Sequence, residues 1–277
     1  MLKPNRGTAF ARVREHVAMR FPSVLLRVLT LFAALGVALA RSAPTANVDL
    51  LLVAGEDEAL APVLRRLSGA QAETHAAWTF WVGELAGKRV VVARADGDPL
   101  NAVAVTTLAL RRHPPRLVFV FGTARPHDPA LHDGDVVVAT GFAAFDGIES
   151  PVVPLGGGSD ALTWQRLPHL LMTSGETELP VFTFPADPAA ITVALALAAP
   201  HGRVLRGVLG SANQINREAD RIAWLHTHWG TSTEDGESAA IAGCAALFGV
   251  PVTGARVVSG SPADAAAFAL KFVEAWK

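Results

Sequence analysis

One cysteine in 277 residues, Cys244, excludes an internal disulfide, and with it the covalent staple on which many small secreted domains depend. Set inside an Ala-rich helical pattern, this lone thiol reads as a small core residue. Zinc-ligand spacing is missing too, and His226 and His228 stand two apart on a predicted helix, where they point in different directions. Neither a metal nor a cofactor is expected. Charge of one sign is also lacking: 24 basic against 25 acidic side chains provide no field for nucleic acid or for an anionic membrane surface. A neutral small molecule is the easier ligand. There is no internal repeat and no sign of a second domain, and Gly156-Gly157-Gly158 lacks the strand and helix that a phosphate-binding glycine loop needs.

What the chain does have is apolar surface, 51% of its residues, enough for one full-sized α/β core at residues 47–277 plus an appendage at 1–46. In the appendage a basic segment (Lys3, Arg6, Arg12, Arg14, Arg20) precedes an apolar run at 24–40 that closes on Ala38-Leu39-Ala40. This is the plan of a secretory signal peptide with a short leader, starting at Met19 and cleaved after Ala40, which implies export, most simply to a periplasm. Arg27 leaves an uninterrupted run too short to span a bilayer comfortably, so an uncleaved membrane anchor is the second reading.

Residues 47–54 (NVDLLLVA) form a continuous apolar run, the mark of a strand buried on both faces. The acidic turn Gly55-Glu56-Asp57-Glu58 follows, and a helical pattern over 59–67. Residues 77–82 and 89–95 read as a hairpin, 100–112 as a helix, and 116–121 as a second buried strand ending in Gly122-Thr123-Ala124-Arg125. A strand at 136–140 precedes a Gly/Pro/Ser/Thr-rich excursion over 141–185. Helices are expected at 188–199, 216–229 and 262–276 and over the Ala-rich stretch that opens at Glu237 and leads to Gly249, and strands at 203–209 and 251–259. Open α/β sheets bind ligands at strand ends, so the polar loops at 56–58, 123–125, 211–214 and 234–237 define one candidate pocket. For Glu56, Asp57 and Glu234 plain solvation or helix capping is the expected role; Glu58 and Glu237, each heading a helix beside a buried strand, are the candidates for function.

The order of Ala54-Gly55-Glu56-Asp57-Glu58, Gly122-Thr123-Ala124, Gly134-Asp135-Val136-Val137-Val138, Gly210-Ser211-Ala212 and Glu234-Asp235-Gly236-Glu237-Ser238-Ala239-Ala240 resembles the nucleoside phosphorylase superfamily, in particular its methylthioadenosine/S-adenosylhomocysteine nucleosidases. The resemblance covers residues 48–277 and implies a three-layer α/β fold, a central mixed sheet flanked by helices, that cleaves the N-glycosidic bond of a purine nucleoside and pairs as a homodimer. By position it gives Glu58 the attacking water and Glu237 the ribose hydroxyls, with Arg256 orienting Glu237. Asp235, Gly236, Ser211, Asn213, Gln214, Thr123, Ala124, Arg125 and Ser259 complete the implied substrate site.

The departures are specific. Where the nucleosidases carry Ser-Asp, whose aspartate protonates the purine, this chain has Ser259-Gly260; Asp264 lies four residues on and substitutes only if the loop bends back. Arg125-Pro126 replaces two glycines. Val120 stands where phosphorylases place a phosphate-binding arginine, which leaves Arg125 as the candidate ligand if phosphate is used. Gln214 replaces an aromatic residue, and Gly236 a methionine under the sugar, which predicts a roomier site there or a different ligand. Hydrolysis of a nucleoside is the leading expectation, with phosphorolysis and a catalytically impaired binding or storage protein as alternatives.

Overall fold

A computed structural model describes residues 47–172 and 177–277, so the signal-peptide, start-site and anchor readings for residues 1–46 lie outside the described residues. The apolar run that opens the sheet is strand β1 (Val48–Ala54), followed by helix α1 (Asp57–Arg66). Next come β2 (Ser68–His75), β3 (Trp78–Leu85) and β4 (Lys88–Arg94), which form an antiparallel meander. Helix α2 (Pro99–Arg112) starts where Asp98 accepts the Leu100 amide at 2.8 Å and a proline takes the first helical position, where its missing N–H costs nothing. It leads into β5 (Pro115–Pro126), parallel to β1, and then β6 (Val136–Ala144).

The predicted excursion carries short strands, β7 (Ile148–Glu149), β8 (Gln165–Arg166), β9 (His169–Met172), β10 (Glu178–Val181) and β11 (Phe184–Pro185), and a 3-10 turn at Ala161–Thr163. Regular structure then resumes with α3 (Pro188–Leu195), β12 (Val204–Ser211) and α4 (Ala219–Trp224). The chain ends through β13 (Thr231–Asp235), α5 (Ser238–Phe248), β14 (Val252–Val258) and α6 (Pro262–Ala275).

Because side chains alternate across a strand, the central strands feed two cores. Leu51, Val53, Val91, Ala93, Val118 and Val120 cluster with the buried faces of α2 and α5; Leu50, Leu52, Val90, Val92, Leu117 and Phe119 cluster with those of α1, α3 and α6. Each fully buried aliphatic side chain contributes about 1.5–3 kcal/mol. The result is a mixed sheet between two helical layers, as the resemblance implied.

Half of this sheet curls on itself. Strand β14 pairs parallel with β5 and antiparallel with β6, β6 pairs with β12, β12 with β13, and β13 returns to β5 through Glu234 opposite Arg125. Five strands thus form a ring, and the residues that leave β5, β12, β13 and β14 meet at one mouth.

Several boundaries differ from expectation. Strands β2 and β13 were not foreseen, because β2 is a polar edge strand and β13 (TSTED) has no apolar residue to show a period. The helix expected over 216–229 is α4 followed by a π-helical turn, Leu225–Trp229. Trp224 and Trp229 pack there with Phe145 and Leu225 in a small third core. Among the described residues no helix is long and apolar enough to cross a membrane.

Candidate active site

A cavity of about 720 Å³ opens where the loops after β1, β4, β12 and β14 converge on the ends of β5 and β13. Its chemistry is organised around a buried guanidinium. Arg256, 2% exposed on β14, donates from Nη2 to Glu237 Oε1 (2.7 Å) and Ser238 Oγ (2.7 Å), and from Nε to Ser238 Oγ (3.1 Å), with Asp235 Oδ2 also at 3.1 Å. A Cβ on Gly122 would strike Arg256 Nη1, which is why β5 needs a glycine as it passes the guanidinium.

Asp235 is consumed in building the corner. Its Oδ1 accepts from Ser211 Oγ (2.7 Å) and from the backbone N–H groups of Glu237 (2.9 Å) and Ser238 (2.8 Å), capping α5. Ser211 is buried and also accepts the Ala239 amide at 2.9 Å; it holds the corner and does not line the cavity. Glu237 is different. One oxygen is fixed by Arg256, while Oε2 accepts no hydrogen bond among the described residues and the carboxylate lines the cavity. Burial pushes the Glu237 carboxyl above its usual value; Arg256 pulls against this, and the negative charges of Asp235 and Glu56 add to it.

A second buried carboxylate, Glu234, lies on β13 next to Asp235 and is 5% exposed. Its Oε2 accepts from Asn216 Nδ2 and faces His127 Nε2 at 3.1 Å, and its Oε1 accepts the Asn216 backbone N–H at 3.1 Å. The Thr231 hydroxyl donates to the Leu225 carbonyl (3.1 Å), so His127 Nδ1 is the donor in its 2.8 Å bond to Thr231. A proton therefore has to lie between His127 Nε2 and Glu234. Burial raises the Glu234 carboxyl, but hydrogen bonds from His127 and Asn216 outweigh it and hold the group below its usual value. Arg125, half exposed, reaches only to 3.9 Å from Glu234 Oε1.

Asn213, Gln214, Thr123, Ala124, Arg125, Gly236, Ser259 and Arg256 line the cavity together with Asp235 and Glu237. Glu58 does not: it is exposed in the first turn of α1, whereas Glu56, just before the helix, faces the cavity. Asp57 is turned outward into an ion pair with Arg94 at 2.5 Å. Asp264 is also displaced from the cavity. It closes a capping box with Ser261, whose Oγ donates to Asp264 Oδ2 at 2.7 Å, and lies 3.5 Å from His201; the loop does not bend back.

Two glycines have no room for a side chain. A Cβ on Gly236 would run into the Gly97 carbonyl oxygen, so backbone fills the space beside the missing methionine and the site is not roomier at that point. A Cβ on Gly260 would run into Val257 Cγ1, and Ser259 before it adopts φ +44°. Gly97 and Ile215 line the cavity without having been assigned to it from sequence, and Glu56 and Glu234, expected only to be solvated or to cap a helix, line it as well. A buried polar strand is the signal that marks Glu234, and Asp96-Gly97-Asp98 after β4 is the loop that presents Gly97.

Comparison with known proteins agrees with this architecture. The family described as the phosphorylase superfamily matches residues 49–276. A 5'-methylthioadenosine/S-adenosylhomocysteine nucleosidase from Marinomonas sp. (strain MWYL1) is 34% identical over 88 residues, 32% of this chain and 38% of that protein. The enzyme of the same name from Bacillus thuringiensis (strain Al Hakam) is 35% identical over 91 residues, 32% of this chain and 39% of that protein. The chain thus matches about two fifths of the length of these curated relatives. The crystal structure of the Neisseria meningitidis nucleosidase in complex with methylthio-immucillin-A superposes with a TM-score of 0.65 at 22% identity, covering 82% of this chain and 96% of that one, a likeness of fold. Matched from its first strand to its last helix, the chain belongs to the phosphorylase superfamily.

Proposed function

We propose that the domain cleaves the N-glycosidic bond of a purine nucleoside by hydrolysis. The observation that carries this reading is Glu237, a buried carboxylate with one oxygen pinned by Arg256 and the other open to a cavity large enough for a nucleoside. A carboxylate offers only acceptors, which suits the paired hydroxyls of a ribose, and its charge stabilises the cationic sugar as the bond to the base breaks. Glu56 takes the place first given to Glu58, as the cavity-lining carboxylate that orients water and receives its proton.

Phosphorolysis is the second reading, favoured by Arg125, a half-exposed cation on the cavity wall with no close carboxylate partner. Loss of catalysis is the third, favoured by Gly260, whose neighbour Val257 occupies the space a side chain would need. Incubating the domain with methylthioadenosine, adenosine and inosine, with and without phosphate, separates the three. Base release without phosphate is expected, reduced about 100-fold or more by Glu237→Ala. Release only with phosphate supports phosphorolysis, and binding of a nucleoside without release supports the third reading.

The same proposal includes export through the N-terminal leader and pairing of two copies, the latter consistent with Leu100, 80% exposed on α2, beside Val103 at 44%. Cell fractionation and the mass of the purified protein in solution check these two points.

A further inference from the structure

Resting on that reading, we infer that Glu234 and Arg125 together read the edge of the nucleobase and select a 6-oxopurine over a 6-aminopurine. Each carboxylate oxygen accepts about two hydrogen bonds. Oε2 of Glu234 is filled by His127 and Asn216, whereas Oε1 holds only the Asn216 amide and keeps acceptor capacity at the cavity wall. The Arg125 guanidinium beside it is too far away, at 3.9 Å, to use that capacity. An acceptor and a donor therefore stand side by side, on paired positions of β13 and β5.

This end of the cavity suits a base. Glu237 and Glu56 form its sugar end, and Ile215, 62% exposed, offers an apolar surface beside Glu234. Because Glu234 is locked by His127 and Asn216, it meets a ligand without first losing side-chain freedom, so its acceptor is preorganised. Its charge is retained on burial, since the hydrogen bonds it receives favour the ionised form.

The choice of a 6-oxopurine follows from bond strengths and from the missing acid. A 6-oxopurine presents a ring N–H beside a carbonyl oxygen, which pair with a carboxylate and a guanidinium as two charge-assisted bonds. A 6-aminopurine presents a weaker amine donor beside a ring nitrogen. As the bond from C1′ to N9 breaks, its electron pair passes to the purine. In a 6-oxopurine that charge spreads to O6, where Arg125 would receive it; in a 6-aminopurine it has no oxygen to reach. The attacking water forms the new bond to C1′ and gives its proton to Glu56, and the departing base takes a proton from solvent. A site with glycine at position 260 depends on such delocalisation more than one with an acid there.

The test compares inosine with adenosine as substrates, and hypoxanthine with adenine as ligands by calorimetry, in the wild type, Glu234→Gln and Arg125→Ala. Wild type is expected to favour inosine in kcat/KM and hypoxanthine in affinity. Glu234→Gln is expected to shrink both preferences about tenfold or more, and Arg125→Ala to lower kcat on inosine more than on adenosine. Arg125 is half exposed, so its variant remains informative if Glu234→Gln does not fold. An adenosine preference in wild type, or unchanged preferences in folded variants, overturns the inference. Selective hypoxanthine binding that Glu234→Gln or Arg125→Ala abolishes upholds base reading even if no nucleoside is cleaved, in which case the catalytic proposal alone falls.

Discussion

Arg256 shows how one side chain can be both scaffold and tuner. It neutralises part of the charge on Asp235 and Glu237 and bridges them through the Ser238 hydroxyl, so the corner between β13 and α5 is built on an almost fully buried guanidinium. Two carboxylates share this cation, and Glu237 remains uncomfortable when ionised. The sign follows from its raised carboxyl: the stabilising contribution is fully present below the ordinary, unfolded glutamate value and is lost as pH rises through the higher folded value. At neutral pH a neutral isostere should therefore be tolerated. Glu237→Gln is expected to melt no lower than wild type at pH 7–8 while base release falls about 100-fold, as melting curves and the release assay would record. A variant that melts clearly lower would mean that Arg256 outweighs burial.

At the scale of elements, β13 decides the site and was the least legible part of it. Four successive buried residues, Thr231, Ser232, Thr233 and Glu234, are all polar, so hydrophobic periodicity has nothing to register. By contrast β1 and the first half of β5 are apolar runs that read as buried strands, and β14 was readable from the Gly249-Val250-Pro251 boundary before it. Glu237 was legible through the resemblance and its position before an Ala-rich helix; Glu234 was not, because its burial depends on His127, far away in sequence on the segment after β5. Glu56 was passed over for Glu58 because a difference of two residues at a helix start is invisible without the helix's rotation.

The loop after β14 allows a direct test of what the missing acid would require. Because Val257 Cγ1 occupies the space beside Gly260, Gly260→Asp alone should destabilise the fold by about 1–3 kcal/mol. In a Val257→Ala background the same substitution should cost less, a coupling that denaturant titration of the four proteins would reveal. Equal costs in both backgrounds would mean that the loop moves freely and that Val257 is no obstacle.

Across the whole molecule charge is nearly balanced, with a formal value of −1, yet the cavity is not. Glu56, Glu234, Asp235 and Glu237 line it against Arg125 and Arg256, four acidic groups to two basic ones. The ring of strands that closes through β13 and β14 concentrates this excess at one mouth, where low-dielectric walls sustain the field. Such a mouth would act as a charge filter on the proposed substrates: nucleosides would enter without penalty, whereas the same molecules bearing a 5′-phosphate would meet like charge, so inosine monophosphate should inhibit inosine cleavage far more weakly than hypoxanthine does, most clearly at low salt. A domain with almost no net charge would in this way distinguish nucleosides from nucleotides by where its few carboxylates are placed.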